Sequence, residues 1–191
     1  MSQIKLSPNA SGTGVFTISA PNGNTNRTLT LPDKSGTLVD TSENPFLAYD
    51  IWYLTADDTT TGLHQVDGWT RATTSNITQI GSAMSESNSY WTFPTTGYWL
   101  ITWAPFFVCN GTDQIQSWIR FTTDNDSTYS DVGNLVATGE NGNRMSQYLF
   151  DVADTSTHKF RFIADSIGSG SKLYGGAVGR TYAQFMKLGE T

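Results

Sequence analysis

The segment from Tyr90 to Trp103 constrains the fold of this chain more than any other. It reads Tyr-Trp-Thr-Phe-Pro-Thr-Thr-Gly-Tyr-Trp-Leu-Ile-Thr-Trp. Apolar and polar residues alternate up to Phe93, a Pro-Thr-Thr-Gly turn follows, and alternation resumes from Tyr98. Aromatic and β-branched residues at a period of two are typical of β-strands, and Pro and Gly between them mark a tight corner. After the corner, bulky residues occupy both the odd-numbered and the even-numbered positions, which point to opposite faces of a strand. We therefore predict a strand that is covered on both faces.

Short strand patterns separated by turn-forming residues continue over the rest of the chain. The turns include Asn110-Gly111 and Asn141-Gly142, which favour tight reversals. We predict strands at residues 50–55, 69–71, 91–93, 98–107, 115–122, 144–152, 158–164 and 181–188, and a weaker strand near 173–178. No segment keeps the helical period over several turns. The sequence therefore predicts the all-β class, with an antiparallel jelly-roll β-sandwich as its architecture.

The first 40 residues differ in composition from the rest, since they contain no Trp, Tyr or Cys. They carry two short strand patterns, at residues 14–19 and 27–31, which cannot bury enough apolar surface to be stable alone. We predict an extended β-rich N-terminal arm over residues 1–40, a linker over 41–48 and the jelly-roll domain over 49–191. The apolar residues through which the arm would contact another part of an assembly are Val15, Phe16, Ile18, Leu29, Leu31 and Leu38.

Charge and hydropathy exclude several classes of partner. The net charge of −6 at pH 7 makes the chain a poor ligand for nucleic-acid phosphates. No run approaches the ~18 apolar residues of a membrane-spanning helix, so we expect no membrane insertion. Residues 1–6 lack the apolar segment of a secretion signal, which predicts synthesis in a cytoplasm. Cys109, the single cysteine, cannot form an intrachain disulfide, and its apolar neighbours predict a buried thiol.

The sequence contains no recognisable catalytic motif. The two histidines, His64 and His158, have no Gly-x-Ser-x-Gly nucleophile elbow to serve. We therefore predict that the chain is not an enzyme and needs no cofactor. All six Trp lie in predicted strands, where packing in a core or between subunits is a better interpretation than sugar binding.

Two acidic loops are the remaining candidates for a ligand site. Asp57-Asp58 and Asp124-Asn125-Asp126 offer oxygen atoms to Ca²⁺, but neither fits an EF-hand loop. Because Asp and Asn are also ordinary turn formers, we favour the turn interpretation. If a glycan is bound, we expect these same polar loops to bind it.

The corner segment Trp91-Thr-Phe-Pro-Thr-Thr-Gly-Tyr-Trp-Leu-Ile101 resembles the Phe-x-x-Pro-x-x-Gly-x-Tyr strand corner of the C1q/tumour-necrosis-factor jelly-roll superfamily. The closing segment Tyr182-Ala-Gln-Phe-Met-Lys-Leu188 resembles the aromatic last strand of that family, and the resemblance covers about residues 49–188. Members of the family form tight trimers around an axis lined by aromatic and aliphatic side chains. The resemblance therefore implies a homotrimer, with Tyr98, Leu100 and Phe185 at the contact between subunits.

The arm resembles a segment of marine and cyanobacterial phage surface proteins. The residues that carry this are Gly12-Thr-Gly-Val-Phe-Thr-Ile18, Ala20-Pro-Asn22 and Arg27-Thr-Leu-Thr-Leu-Pro-Asp-Lys-Ser-Gly-Thr-Leu38. The resemblance implies a trimeric virion protein made in the cytoplasm of a bacterial host. Because no shaft repeats are found, we expect a capsid decoration (cement) protein on the head exterior, in contact with the major capsid protein or other virion proteins. The alternative is a short tail fibre or tailspike tip that recognises a host cell-surface glycan.

Overall fold

The computed structural model describes residues 11–15, 17, 19, 22–24, 26, 28, 47–73, 79–177 and 179–191. The chain divides into two units, Met1–Val39 and Asp40–Thr191. The described residues of the first unit are exposed, and Val15 is 91% exposed. The other residues assigned to the contacts of the arm lie outside the described residues, namely Phe16, Ile18, Leu29, Leu31 and Leu38.

The described part of the second unit consists of strands joined by turns. In chain order the strands are β1 (Ala48–Leu54), β2 (His64–Gln65), β3 (Trp69–Arg71), β4 (Ser85–Ser87), β5 (Tyr90–Thr92), β6 (Gly97–Ala104), β7 (Phe106–Val108), β8 (Gln114–Thr122), β9 (Ser130–Thr138), β10 (Gly142–Asn143), β11 (Ser146–Val152), β12 (Lys159–Asp165), β13 (Lys172–Leu173) and β14 (Tyr182–Gly189). Over the described ranges, no helix is long and apolar enough to cross a bilayer.

Two antiparallel sheets pack face to face and form a sandwich. The first sheet has the strand order β11-β6-β14-β1-β3. The second has the order β4-β5-β12-β8-β9, and β2 pairs with the free end of β12. A small sheet of β10-β7-β13 closes one end. The predicted all-β class and its antiparallel arrangement are confirmed.

Aromatic side chains from both sheets fill the space between them. Trp103 of β6 stacks on Phe162 of β12 with ring centroids 4.2 Å apart, and Trp91 of β5 contacts Phe185 of β14 at 4.9 Å. These four side chains are at most 1% exposed. Burying a side chain of the size of Phe stabilises a fold by about 1.5–3 kcal/mol, so these contacts hold the two sheets together. The prediction that the Trp residues pack in strands is met most fully by Trp91, Trp99 and Trp103, which are buried completely.

The corner before β6 depends on a glycine. Gly97 has a φ of +127°, which favours glycine, and a Cβ at this position would collide with the backbone of Gly189 and the side chain of Lys187. The indole N–H of Trp99 donates to the carbonyl of Thr95 at 3.0 Å and fixes the turn. The corner lets the last strand, β14, pass directly beside β6.

The structure corrects several predicted elements. The single strand predicted at residues 98–107 is two strands, because Pro105 interrupts the pairing and β7 joins the small sheet. The weak strand predicted at residues 173–178 is only the two-residue β13, and β9 was not predicted. Cys109 is half-buried beside the core, rather than enclosed in it as its neighbours indicate.

Candidate interaction surface

The side of the first sheet that faces away from the sandwich core is the candidate functional surface. Leu100 of β6 pairs with Leu149 of β11 on one side and with Met186 of β14 on the other, so the three side chains share a face. Met186 in turn pairs with Tyr49 of β1. We call this surface the outer face, and its residues are Tyr49, Ile51, Tyr53, Tyr98, Leu100, Thr102, Ala104, Gln147, Leu149, Asp151, Tyr182, Gln184 and Met186.

The outer face is largely apolar and is incompletely covered within one chain. Leu149 is 56% exposed and Tyr98 is 40% exposed. A cavity of about 470 Å³ opens beside Ile51 and Tyr182, and Met145, itself 59% exposed, lies at its rim. Contiguous exposed apolar side chains of this kind are typical of a contact with another protein.

Apart from Asp151, which pairs with Tyr98, the polar groups of the outer face are neutral. Gln184 Nε2 donates a hydrogen bond to the hydroxyl of Tyr49 at 3.2 Å. Burial, and then the nearby Tyr182 and Asp50, raise the pKa of the Tyr49 phenol above its usual 10.0. The phenol therefore stays neutral at physiological pH, and removing this part of the face from water carries no cost of burying a charge.

The structure separates the three residues that the sequence assigns to the subunit contact. Tyr98 and Leu100 lie together on the outer face. Phe185 is fully buried on the opposite side of β14, with its ring 5.8 Å from that of Phe160. The assignment of Phe185 to a subunit contact is therefore wrong, because the side chain is enclosed in the core of its own chain. Met186, its neighbour on the other parity, occupies the outer face instead.

The first acidic loop is held by contacts within the chain. Asp57 accepts hydrogen bonds from Lys172 Nζ at 2.6 Å and from the Gly175 N–H at 3.0 Å. Asp58 contacts His64 Nε2 at 2.8 Å. Burial of both carboxyls opposes ionisation, but these partners outweigh it and hold the pKa of each carboxyl below 3.8. Both carboxylates thus stabilise the fold of the loop.

The second acidic loop is also built around a carboxylate. Asp124 accepts hydrogen bonds from Thr128 N and Oγ1 at 2.9 and 2.7 Å, and from Thr122 Oγ1 at 2.8 Å. These bonds, those from Thr128 first, lower the pKa of Asp124 to about 2. Asn125 and Asp126 have φ values of 56° and 72°, the left-handed conformation that Asn and Asp tolerate in turns. These contacts agree with the turn interpretation of the loop.

The two acidic loops lie at opposite ends of the sandwich. His64, beside the first loop, pairs with Ala164 near the end of β12, whereas Thr122, beside the second loop, pairs with Lys159 at its start. Within the described ranges, no three His, Cys, Asp or Glu side chains form a group that could hold a metal ion. The loops therefore do not combine into one site.

A cluster of arginines and tyrosines on the far side of the second sheet was missed by the sequence reasoning. Arg161, only 7% exposed, lies over the ring of Tyr90 at 4.7 Å and contacts Asp126 Oδ1 at 3.2 Å. Arg120 lies over Tyr129 at 4.2 Å. Cation–π contacts of this kind hold the guanidinium groups flat against the sheet. The sequence gives little indication of these arginine–tyrosine contacts, because the partners lie on different strands and in a loop.

Comparisons with known proteins identify the fold of this chain but not its family. No protein-family model matches the chain, and no curated protein matches it. The crystal structure of murine APRIL at pH 8.5 matches with a TM-score of 0.56 at 9% sequence identity, over 74% of this chain and 98% of that one. Murine APRIL at pH 5.0 gives 0.55 at 10% identity over the same shares, and Eiger TNF from S. frugiperda gives 0.50 at 12% identity, over 78% and 96%. The described domain is thus an antiparallel jelly-roll β-sandwich of the TNF-like kind.

Proposed function

We propose that this chain is a non-enzymatic structural protein of a bacteriophage virion, a homotrimer that decorates the exterior of the capsid. The observation that carries self-association is the outer face, where apolar side chains from β1, β6, β11 and β14 remain partly exposed in the single chain. Such a face is suited to bind another copy of this chain, either through the same face or through the sheet edge beside it.

Three-fold symmetry is the form of association that the resemblance to C1q/TNF-like proteins implies. Tyr98 and Leu100 would lie in this contact, together with Leu149 and Met186 on the neighbouring strands. A trimer also suits the three-fold positions of a capsid. Changing Tyr98 to Asp is expected to dissociate the trimer because it places a charge in a desolvated contact.

The location on a virion is supported by the arm. The string Thr30-Leu-Pro-Asp-Lys-Ser-Gly-Thr-Leu38 is the part of the sequence that resembles phage surface proteins. The arm would pair with the major capsid protein or with sister arms by strand addition, and would bury Phe16, Ile18, Leu29 and Leu31. The jelly roll would then project outward from the head.

The copy number in purified virions tests this location. A capsid decoration protein is expected in numbers comparable with the major capsid protein, on a quantified gel of intact particles. A copy number far below that would contradict decoration and favour the alternative, a short tail fibre or tailspike tip that binds host glycan. Labelled antibody that decorates only the tail would contradict the head location in the same way.

A further inference from the structure

An irregular pairing between β8 and β9 creates a groove that neither the fold nor the proposed function explains. Ser117 pairs with Leu135 and Ile119 pairs with Val132, so one residue of β8, Trp118, opposes two residues of β9. This is a β-bulge, a feature that re-aims side chains and often lies next to functional sites. The two residues of β9 that oppose Trp118 are Gly133 and Asn134, one more than regular pairing would place there.

The bulge requires glycine and brings β9 close to β11. Gly133 has a φ of +67°, in the left-handed region that favours glycine. A Cβ at this position would lie 2.9 Å from Ser146 Oγ, so a side chain would crowd that of Ser146. Ser146 Oγ is buried here without a hydrogen-bond partner. The positive φ of Gly133 and the unpaired Ser146 hydroxyl are therefore features that regular strand pairing does not require.

The resulting groove has a volume of about 400 Å³ and combines aromatic with amide and carboxylate groups. Trp118 and Tyr148 supply the aromatic rings, and Tyr148 is 39% exposed. Asn134 and Asp131 line the groove beside them. Both kinds of group are therefore available to one bound molecule.

The polar groups of the groove are positioned by their neighbours. Asn134 Nδ2 donates to Gln116 Oε1 at 3.3 Å. The Asp131 carboxylate accepts two hydrogen bonds from Arg120, at 2.6 and 2.7 Å. The indole N–H of Trp118 interacts weakly with the same carboxylate without making a hydrogen bond of normal geometry. Asp131 is thus an acceptor whose charge is already balanced, and Asn134 keeps its amide oxygen for a ligand.

We infer that this groove binds a neutral hexopyranose unit of a surface polysaccharide. A pyranose ring presents an apolar face of C–H groups that packs on an aromatic ring, and hydroxyl groups at its edge that hydrogen-bond to amides and carboxylates. Trp118 and Tyr148 meet the first requirement, and Asn134, Gln116 and Asp131 meet the second. A neutral sugar suits the groove, because Arg120 already balances the charge of Asp131 and no Lys or Arg is among its described lining residues to pair with an acidic sugar. The inference rests on neither the trimer nor the capsid location.

Binding is tested with the methyl glycosides of glucose, galactose, mannose and N-acetylglucosamine as probes, on the full chain. Saturation-transfer NMR detects the bound sugar, and the indole N–H resonance of Trp118 reports where it binds. At least one probe is expected to bind and to shift that resonance. Trp118→Ala is expected to weaken binding by about tenfold, since it removes the stacking surface.

Two further variants keep the test decisive. Asn134 is exposed, so Asn134→Ala preserves the fold even if Trp118→Ala does not, and it too is expected to weaken binding. Tyr98→Ala is the matched control, an exposed aromatic on the outer face that should leave sugar binding unchanged whatever its effect on association. Failure of all four probes to bind would overturn the inference, as would binding that is unchanged in Asn134→Ala and leaves the Trp118 resonance in place.

Discussion

The buried carboxylate of Asp50 in β1 is expected to be one of the most important polar groups for stability. It is 1% exposed and accepts hydrogen bonds from Trp52 Nε1 at 2.9 Å, Arg71 Nε at 2.9 Å and Met84 N at 3.1 Å. It thereby joins β1 and β3 to the segment before β4. Asp50→Ala would leave three donors without their acceptor.

The size of the effect follows from these partners. Removing one partner of a buried ion pair costs about 3–5 kcal/mol. Arg71 is 28% exposed, so water can hydrogen-bond to its guanidinium in the variant and reduce that cost. The N–H groups of Trp52 and Met84 each lose a hydrogen bond worth about 1 kcal/mol. We therefore expect Asp50→Ala to lower the free energy of unfolding by about 3–5 kcal/mol.

Urea unfolding followed by tryptophan fluorescence, at one fixed protein concentration, measures this difference. With a slope of roughly 1–3 kcal/mol/M the midpoint should fall by at least about 1 M. Asp67→Ala is the control, because Asp67 is an exposed carboxylate in the turn before β3, away from the outer face, and its loss should cost less than about 0.5 kcal/mol. A loss in Asp50→Ala no larger than in Asp67→Ala would refute the reasoning.

Two further predictions concern the bulge and the first acidic loop. Gly133→Ala is expected to lower the free energy of unfolding by about 1–3 kcal/mol, because it strains a positive φ and crowds Ser146, and an unchanged urea midpoint would contradict this. Burial lowers the pKa of His64, but the hydrogen bond to Asp58 outweighs it and raises the pKa above 6.5. While Asp58 stays ionised, the stability from this pair is therefore complete below pH 6.5, and it is lost as the pH rises through the folded-state pKa of His64. NMR titration should show the His64 pKa falling in Asp58→Asn, and an unshifted titration would exclude the pair as the cause.

The strands that the sequence predicts are those with strong alternation. β6, β8, β12 and β14 each carry bulky residues at a period of two, and the core that they form is aromatic as the composition indicates. β9 was missed because residues 130–138 are mostly small or polar and the strand lies at the edge of its sheet. An edge strand buries only part of one face, so its pattern is weak.

The face of a strand was harder to predict than its position. In β14, Phe185 and Met186 are both bulky, and parity alone does not say which one points into the core. The structure decides it through the pairing of Phe185 with Ile101, which is fully buried. The groove beside Trp118 could not be foreseen either, because its bulge depends on the register between β8 and β9, and Tyr148, which also lines it, belongs to β11 of the other sheet.

Sedimentation equilibrium of the full chain tests the central claim, that the outer face joins copies of this protein into a trimer. We expect a mass three times that of the 20.9 kDa chain. Leu149 and Leu63 form a matched pair, since they are 56% and 60% exposed and only Leu149 belongs to the outer face. Leu149→Asp is expected to sediment as a folded monomer and Leu63→Asp as a trimer. A monomeric wild-type chain, or a trimer that Leu149→Asp leaves intact, would contradict the account.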